Sequence, residues 1–198
     1  MRKNQFYAML ARMKYINRWG LMRNTREEND SEHSLDVAFI AHALGLISNV
    51  YFEGDVDVER IAVLAMFHDV TEIITGDMPT PVKYYSPVIR SAYKDVEKVA
   101  KEQLLTGLPE EMRPFYDPLL MKTEEEAELW KFVKAADRIS AYLKCVEESR
   151  TGNTDFADAL QTNLKQIRDM GMPEVDYFMD HFAPAYTNTL DASNKERE

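Results

Sequence analysis

No stretch of this chain alternates apolar and polar residues for long enough to build a strand, whereas apolar residues at helical spacing recur almost end to end. Phe6, Met9, Leu10, Met13 and Ile16 fall on one helical face. Phe178, Phe182 and Tyr186 do the same near the other end. The pattern excludes sheet-based folds and predicts an all-α chain, a single helical bundle over 1–190 with a disordered tail over 191–198.

The breaks divide that bundle. A polar loop over 17–29 follows the first helix, and Ser31 or Asp30 caps a second helix running to about Ser48. A third is predicted from Asp57 to Gly76, the glycine being a natural C-terminal stop. Pro79 and Pro81 forbid a helix in Asp77-Met78-Pro79-Thr80-Pro81 and predict a fixed, extended loop. Ser86-Pro87 starts a helix to about Leu105. Pro109, Pro114 and Pro118 confine the next segment to short turns, and the capping-box pattern from Thr123 starts a long helix to about Ser149. Two helices, near 154–170 and 173–189, complete the bundle.

Composition narrows the setting. A formal net charge of −10 argues against a nucleic acid polymer as partner, but not against a small phosphate ligand. No apolar run approaches the roughly 18 residues that span a bilayer, and the N-terminus lacks a signal-peptide pattern. The single cysteine, Cys145, sits in an apolar helical run, reads as a small core residue and fits a reducing compartment. Together these predict a cytoplasmic protein with no membrane contact.

The feature that carries chemistry is Phe67-His68-Asp69-Val70, in the middle of the third helix. The preceding run Ile61–Phe67 is apolar all round, as in a helix buried on most sides. Burying an ionised carboxylate without a partner costs several kcal/mol, and a cation offsets that cost. Imidazole with carboxylate suits a divalent ion such as Mn, Fe, Co, Ni or Zn.

His33 lies in the first turn of the second helix, on a face that continues through Val37, Ile40 and Leu44. His42, nine residues on, points to the opposite side at ~100° per residue and reads as structural. Asp137 sits among small residues of the long helix. His33, His68, Asp69 and Asp137 make a candidate ligand set of two imidazoles and two carboxylates. A buried His–Asp hydrogen bond with a surface Asp fits the spacing equally well. Glu72, one turn beyond His68 and Asp69, can accept a proton from water or position it. Arg18 offers a fork that matches phosphate oxygens and Trp19 a flat surface for a base or sugar. On residues alone, an exposed arginine beside a core-anchored Trp is the simpler reading. Lys83, Arg23 and Arg26 are further phosphate candidates.

The order His33, His68-Asp69, Asp137 resembles the H…HD…D signature of the HD superfamily of metal-dependent phosphohydrolases. Ile16-Asn17-Arg18-Trp19, Ser31-Glu32-His33-Ser34-Leu35, Thr75-Gly76-Asp77-Met78-Pro79-Thr80-Pro81-Val82-Lys83-Tyr84, Lys134-Ala135-Ala136-Asp137 and Ala141–Cys145 extend the likeness to bacterial 5′-deoxynucleotidases of the YfbR type, from Phe6 to about Leu190.

The resemblance implies an all-helical homodimeric enzyme that removes phosphate from 2′-deoxyribonucleoside 5′-monophosphates and discriminates against ribonucleotides. It implies one divalent metal on His33, His68, Asp69 and Asp137, with cobalt, manganese or copper supporting activity. It makes Arg18 the residue that orients the phosphate, Trp19 the one that crowds the 2′ position and Glu72 the helper of the attacking water. Asp77, Met78, Pro79 and Thr80 would hold the sugar and phosphate, with Asp77 orienting the sugar or protonating the leaving oxygen. Arg18, Trp19, His33, Asp69 and Asp137 would also line the substrate. Two alternatives stay open: another HD phosphohydrolase, acting on diesters or deoxynucleoside triphosphates, and a non-catalytic HD module.

Overall fold

Asn29 starts the helix around which the other elements pack. Its side chain accepts hydrogen bonds from the backbone N–H groups of Ser31 and Glu32, so the cap falls one residue before the predicted Asp30 or Ser31. In the computed structural model, which describes residues 4–83 and 85–195, this helix (α2) runs Asp30–Tyr51. A short α1 (Phe6–Leu10) and a 3₁₀ turn (Met13–Tyr15) precede it, in place of one continuous helix to Ile16. Then follow α3 (Val58–Phe67), α4 (Glu72–Thr75), α5 (Thr80–Lys83), α6 (Pro87–Leu105), α7 (Arg113–Leu120), α8 (Ala127–Arg150), α9 (Ala157–Arg168), α10 (Pro173–His181) and α11 (Leu190–Lys195). Among the described residues there is no strand, only an isolated bridge between Asn17 and Asn29. The all-α expectation stands.

α3, α8 and α10 pack on α2, and α9 packs on α8. Their inner faces form the main core, including Val37, Leu44, Ile61, Leu64, Ala136, Ile139 and Phe178. Burying each large aliphatic side chain contributes roughly 1.5–3 kcal/mol. A second cluster joins Phe6, Met13, Val70, Leu104, Leu108 and Leu120 beneath α1, α6 and α7. Phe67 and Tyr116 pack against both clusters, so the two cores meet at the end of α3.

That end departs from the expectation of one helix to Gly76. α3 stops at Phe67, and the chain descends through i→i−3 bonds: His68 N–H to Ala65 O, Val70 N–H to Phe67 O and Glu72 N–H to Asp69 O. The His68 side chain explains the break. Its Nδ1 lies 2.7 Å from Ala65 O, the carbonyl that the Asp69 N–H would take in a continuing helix. Gly76 does end α4, in the positive-φ conformation (71°) that favours glycine. α3 is also less enclosed than its all-apolar run suggested, since Met66 is 49% exposed.

The prolines break helices less than expected. Thr80-Pro81-Val82-Lys83 is helical, because proline is tolerated in a first turn where its N–H has no partner to lose. The same holds for Pro114 in α7, which continues past Pro118 at the cost of one backbone bond. Ser86 and Pro87 start α6 as predicted. Thr123 Oγ1 accepts from Glu126 N–H, and regular helix begins at Ala127.

Residues 191–195 of the expected tail lie in α11, while Tyr84 and 196–198 fall outside the described residues. α2 departs from the expectation of no membrane-length apolar run: with a mean hydropathy of 1.3 it is, by length and composition, long and apolar enough to cross a membrane. Half of it is nevertheless buried against its neighbours, as in a core helix of similar composition.

Candidate metal centre and its surroundings

α2 and the α3–α4 junction bring His33, His68 and Asp69 together, and α8 sets Asp137 against His33. Asp69 Oδ2 lies 3.1 Å from His68 Nε2 and 3.6 Å from His33 Nε2. Asp137 Oδ1 lies 3.2 Å from His33 Nε2. Ligands about 2.1 Å from a shared ion at tetrahedral or octahedral angles are separated by about 3.0–3.4 Å; the 3.1 and 3.2 Å spacings fall in that range and the 3.6 Å spacing lies just outside it. His33, His68 and Asp69 can all offer atoms within 4.8 Å of one another.

The imidazoles are turned for ligation. His68 Nδ1 is held by Ala65 O, and His33 Nδ1 faces Glu28 Oε1 at 3.1 Å and Ser140 Oγ at 3.3 Å. An Nδ1–H engaged in this way leaves the Nε2 lone pair free. Both Nε2 atoms are buried without a hydrogen-bond partner. Such an atom costs about 1–3 kcal/mol unless something binds it. His33 is 0% exposed, whereas the Asp137 side chain is 36% exposed, so the centre communicates with solvent on the α8 side. His42 is exposed and away from the centre.

Acids outnumber bases here. Asp30, Asp69, Glu72, Asp77 and Asp137 surround the Arg18 guanidinium and the two imidazoles. Burial pushes Glu72 up to about 10, and nearby Asp69, Asp30 and Asp77 add to the shift. Asp30 rises to about 7 through burial and Asp69. Asp77 is raised by burial, opposed by Arg18. For Asp69 burial acts upward, but His68, Arg18 and His33 hold it far below the usual carboxylate range. Asp137 is held down at about 2 against burial, chiefly by His33. Burial and Arg18 work against a charge on His33, yet Asp137 and Glu28 raise it to about 9. An imidazole drawn toward protonation by surrounding carboxylates marks a place that attracts positive charge. A divalent cation meets that demand without a proton.

The loop over 17–29 supplies the wall. Arg18 N–H donates to Glu28 O, Asp30 N–H to Ile16 O, and the Asn17–Asn29 bridge closes the pair. Arg18 Nη1 donates to Asp69 Oδ2 at 3.0 Å, with Asp30 Oδ1 at 3.8 Å. Arg18 is therefore half-buried and engaged with a candidate ligand, not the exposed residue its loop position suggested. Its Nε lies 3.5 Å from Glu28 Oε1 and is buried without a hydrogen bond. Trp19 adopts φ +60°, costing a bulky L residue about 1–2 kcal/mol. Met22 N–H on its carbonyl, its Nε1–H on Glu28 Oε2 (2.9 Å) and the Phe156 ring hold it there. The Trp19 backbone also stabilises the ionised Asp77, so the α4–α5 loop faces this wall.

The structure thus gathers Arg18, Trp19, His33, His68, Asp69, Glu72, Asp77 and Asp137. Met78 and Pro79 are half-buried and Thr80 exposed in the segment that follows Asp77. Lys83 pairs with Glu97 and lies over the Tyr93 ring, Arg26 pairs with Glu32 on the surface, and Arg23 is exposed. Cys145 is buried, and its thiol is pushed up to about 11 by burial.

Sequence reasoning missed Glu28, Asp30 and Ser140. Asp30 looked like a cap, but it is fully buried, with neither carboxylate oxygen in a hydrogen bond and Arg18 its ion-pair partner at 3.8 Å. Glu28 lay in a polar loop whose pairing with Arg18 no local pattern announces. A cavity of about 660 Å³ touches Glu28 and Ser140 but none of the four candidate ligands, so it lies behind His33.

Comparison with known proteins adds to this geometry. A family model described as 5′-deoxynucleotidase YfbR-like matches residues 5–186. A 5′-deoxynucleotidase of Vibrio vulnificus is 49% identical over 191 residues, covering 96% of this chain and 98% of the relative. One of Photorhabdus laumondii is 50% identical over 188 residues, 95% of each chain. Among solved structures, an HD-domain phosphohydrolase of Listeria innocua superposes with a TM-score of 0.81 at 23% identity, covering 96% of this chain and 92% of that one. The cyanophage S-2L HD phosphohydrolase DatZ, bound to dA and one catalytic Zn²⁺ ion, gives 0.64 at 21% identity over 92% and 96% of the two chains.

Proposed function

The chain belongs to the family of YfbR-like 5′-deoxynucleotidases, and on that premise we propose that it hydrolyses 2′-deoxyribonucleoside 5′-monophosphates to deoxynucleoside and phosphate. The observation that carries this reading is the convergence of two buried, unpartnered imidazole Nε2 atoms with two carboxylates beside Arg18 and Glu72. His33, His68, Asp69 and Asp137 hold one divalent metal in this account, with cobalt, manganese or copper supporting turnover and zinc, iron or nickel also suited to the donors.

Such an ion supplies Lewis acidity and makes a bound water acidic near neutral pH. The protein does the rest. Glu72 is held in its neutral form by burial and by Asp69, Asp30 and Asp77 while the site lacks a cation; the charge of a bound cation would ionise it, and it then takes the proton from the attacking water or aims that water at phosphorus. Arg18 turns its fork to the phosphoryl oxygens and neutralises the charge they gain. That requires the guanidinium to be shared between Asp69 and the phosphate. Asp77 and the Met78-Pro79-Thr80 segment hold the sugar and phosphate region; Asp77 orients the sugar or protonates the departing 5′ oxygen. Trp19 crowds the 2′ position, where a ribose hydroxyl would meet the ring.

The chain acts in the cytoplasm as a homodimer in this reading. The buried, unpaired Cys145 supports a reducing compartment, and the exposed α2 stripe of Leu35, Phe39, Leu46 and Val50 is an apolar surface available to a second copy. Light scattering on a sizing column tests the dimer.

The deciding experiment is phosphate release from paired deoxy- and ribonucleoside monophosphates, with deoxynucleoside triphosphates and diesters alongside, each with Co²⁺, Mn²⁺, Cu²⁺ or Zn²⁺ added to chelator-treated enzyme. Deoxynucleoside monophosphates should be cleaved and their ribose counterparts cleaved poorly. Turnover confined to triphosphates or diesters would favour another phosphohydrolase of the same fold. Trp19→Ala should lose selectivity against ribonucleotides.

A further inference from the structure

Glu28 stands outside the four candidate ligands, yet it touches three of the groups on which the proposed reaction depends. Its two oxygens divide the work. Oε1 lies 3.1 Å from His33 Nδ1 and 3.5 Å from Arg18 Nε. Oε2 accepts from Trp19 Nε1 at 2.9 Å. The indole N–H can only donate, and an ionised carboxylate can only accept. Facing Glu28, His33 therefore carries its proton on Nδ1 and presents Nε2 to Asp69 and Asp137. Ser140 Oγ also reaches His33 Nδ1, at 3.3 Å, but a hydroxyl can donate or accept and does not fix the tautomer alone. Trp19 sits on a left-handed backbone, and its Nε1–H bond is one of the contacts holding it there.

We propose that Glu28 is a positioning residue with two outputs: through Oε1 it fixes His33 for metal binding, and through Oε2 it fixes the Trp19 ring that discriminates deoxyribose from ribose. This rests on the reading of His33 as a ligand and of Trp19 as the sugar filter. A single carboxylate serving both ties metal loading to sugar selection in one rigid unit.

The chemistry of an amide gives a sharp test. Glu28→Gln keeps size and shape but leaves one acceptor oxygen, so its NH₂ group must face either His33 Nδ1–H or Trp19 Nε1–H. The output facing the NH₂ group should be lost and the other weakened, because a neutral amide oxygen is a poorer acceptor than a carboxylate. Two binding measurements read them without turnover: Co²⁺ affinity by titration against a competing chelator, and the ratio of AMP to dAMP dissociation constants for the Co²⁺-loaded protein. Glu28→Gln should weaken Co²⁺ binding about 10- to 100-fold, the range typical of lost outer partners of ligating histidines. It should also reduce the preference for dAMP at least about five-fold. Trp19→Phe, which keeps an aromatic ring but drops the N–H, should leave Co²⁺ affinity within about two-fold. Adding Glu28→Gln to Trp19→Phe should weaken Co²⁺ binding again without further change in the sugar ratio. Should Glu28→Gln not fold, Glu28→Asp runs the same test, because the shorter carboxylate keeps its charge but cannot reach both donors. A folded Glu28 variant with wild-type Co²⁺ affinity, or with an unchanged dAMP preference, overturns the two-output role. Failure of the nucleotidase reading itself shows differently, as absence of phosphate release from dAMP by the wild-type protein.

Discussion

The loop over 17–29 is gripped by buried charge at both ends, and the two ends differ. At one end Glu148, 1% exposed, accepts from the N–H groups of Thr25 and Arg26, from Asn153 Nδ2 and from Lys144 Nζ. Lys144 also donates to Arg26 O. At the other end Asp30, Glu72 and the Nε2 atoms of His33 and His68 are buried with polar atoms that have no hydrogen-bond partner. Both ends bury ionisable groups in the same wall of helices. The first is satisfied from within the chain, so its role is to hold. The second is left incomplete by the chain, so its role is to bind something the chain does not supply.

Substitutions that treat the two ends alike should separate them. The largest effect belongs to Asp69→Ala, which removes contacts to His68, His33 and Arg18 together. Phosphate release should fall at least about a thousand-fold, with loss of metal retention measured by atomic absorption. Glu72→Gln comes next: kcat should drop about 100- to 10,000-fold while Co²⁺ affinity is retained. A Glu72→Gln enzyme of near-normal rate would mean that Glu72 is not the proton acceptor.

At the satisfied end the cost is in stability. Glu148→Ala leaves Lys144 buried and unpaired and should lower unfolding free energy by about 3–5 kcal/mol in denaturant titrations. Replacing both partners, Lys144→Met with Glu148→Leu, should recover most of that loss. The smallest effect is a pH dependence. Burial would raise Glu148, but Lys144, Asn153 and Thr25 hold its carboxyl below the ordinary 4.5. A carboxyl lowered by folding stabilises above its unfolded pKa, and that contribution fades as pH falls through 4.5 toward the folded value. The Tm difference between wild type and Glu148→Gln should therefore be full at pH 7 and shrink below about pH 4.5.

The sequence made much of this visible, unevenly. Periodicity revealed α2, α6 and α8 because each has a continuous buried face and recognisable ends. The break after Phe67 was hidden because it arises from one side chain, His68, taking a backbone carbonyl. His33, His68, Asp69 and Asp137 were legible as ionisable groups on apolar helix faces. Glu28 and Asp30 were not, since their burial comes from the pairing of Arg18 with Glu28 across an irregular loop, which leaves no period to read. The charge balance is likewise tertiary: the acids come from the loop end, α2, the α3–α4 junction and α8, and only folding makes them neighbours.

The central claim is that the incomplete end is a single metal site. Its most direct test is anomalous scattering from crystals grown with Mn²⁺. The account predicts one strong peak within bonding distance of His33 Nε2, His68 Nε2 and the carboxylates of Asp69 and Asp137, abolished in Asp137→Ala. A metal-replete crystal with these four side chains well ordered and no peak between them would contradict it.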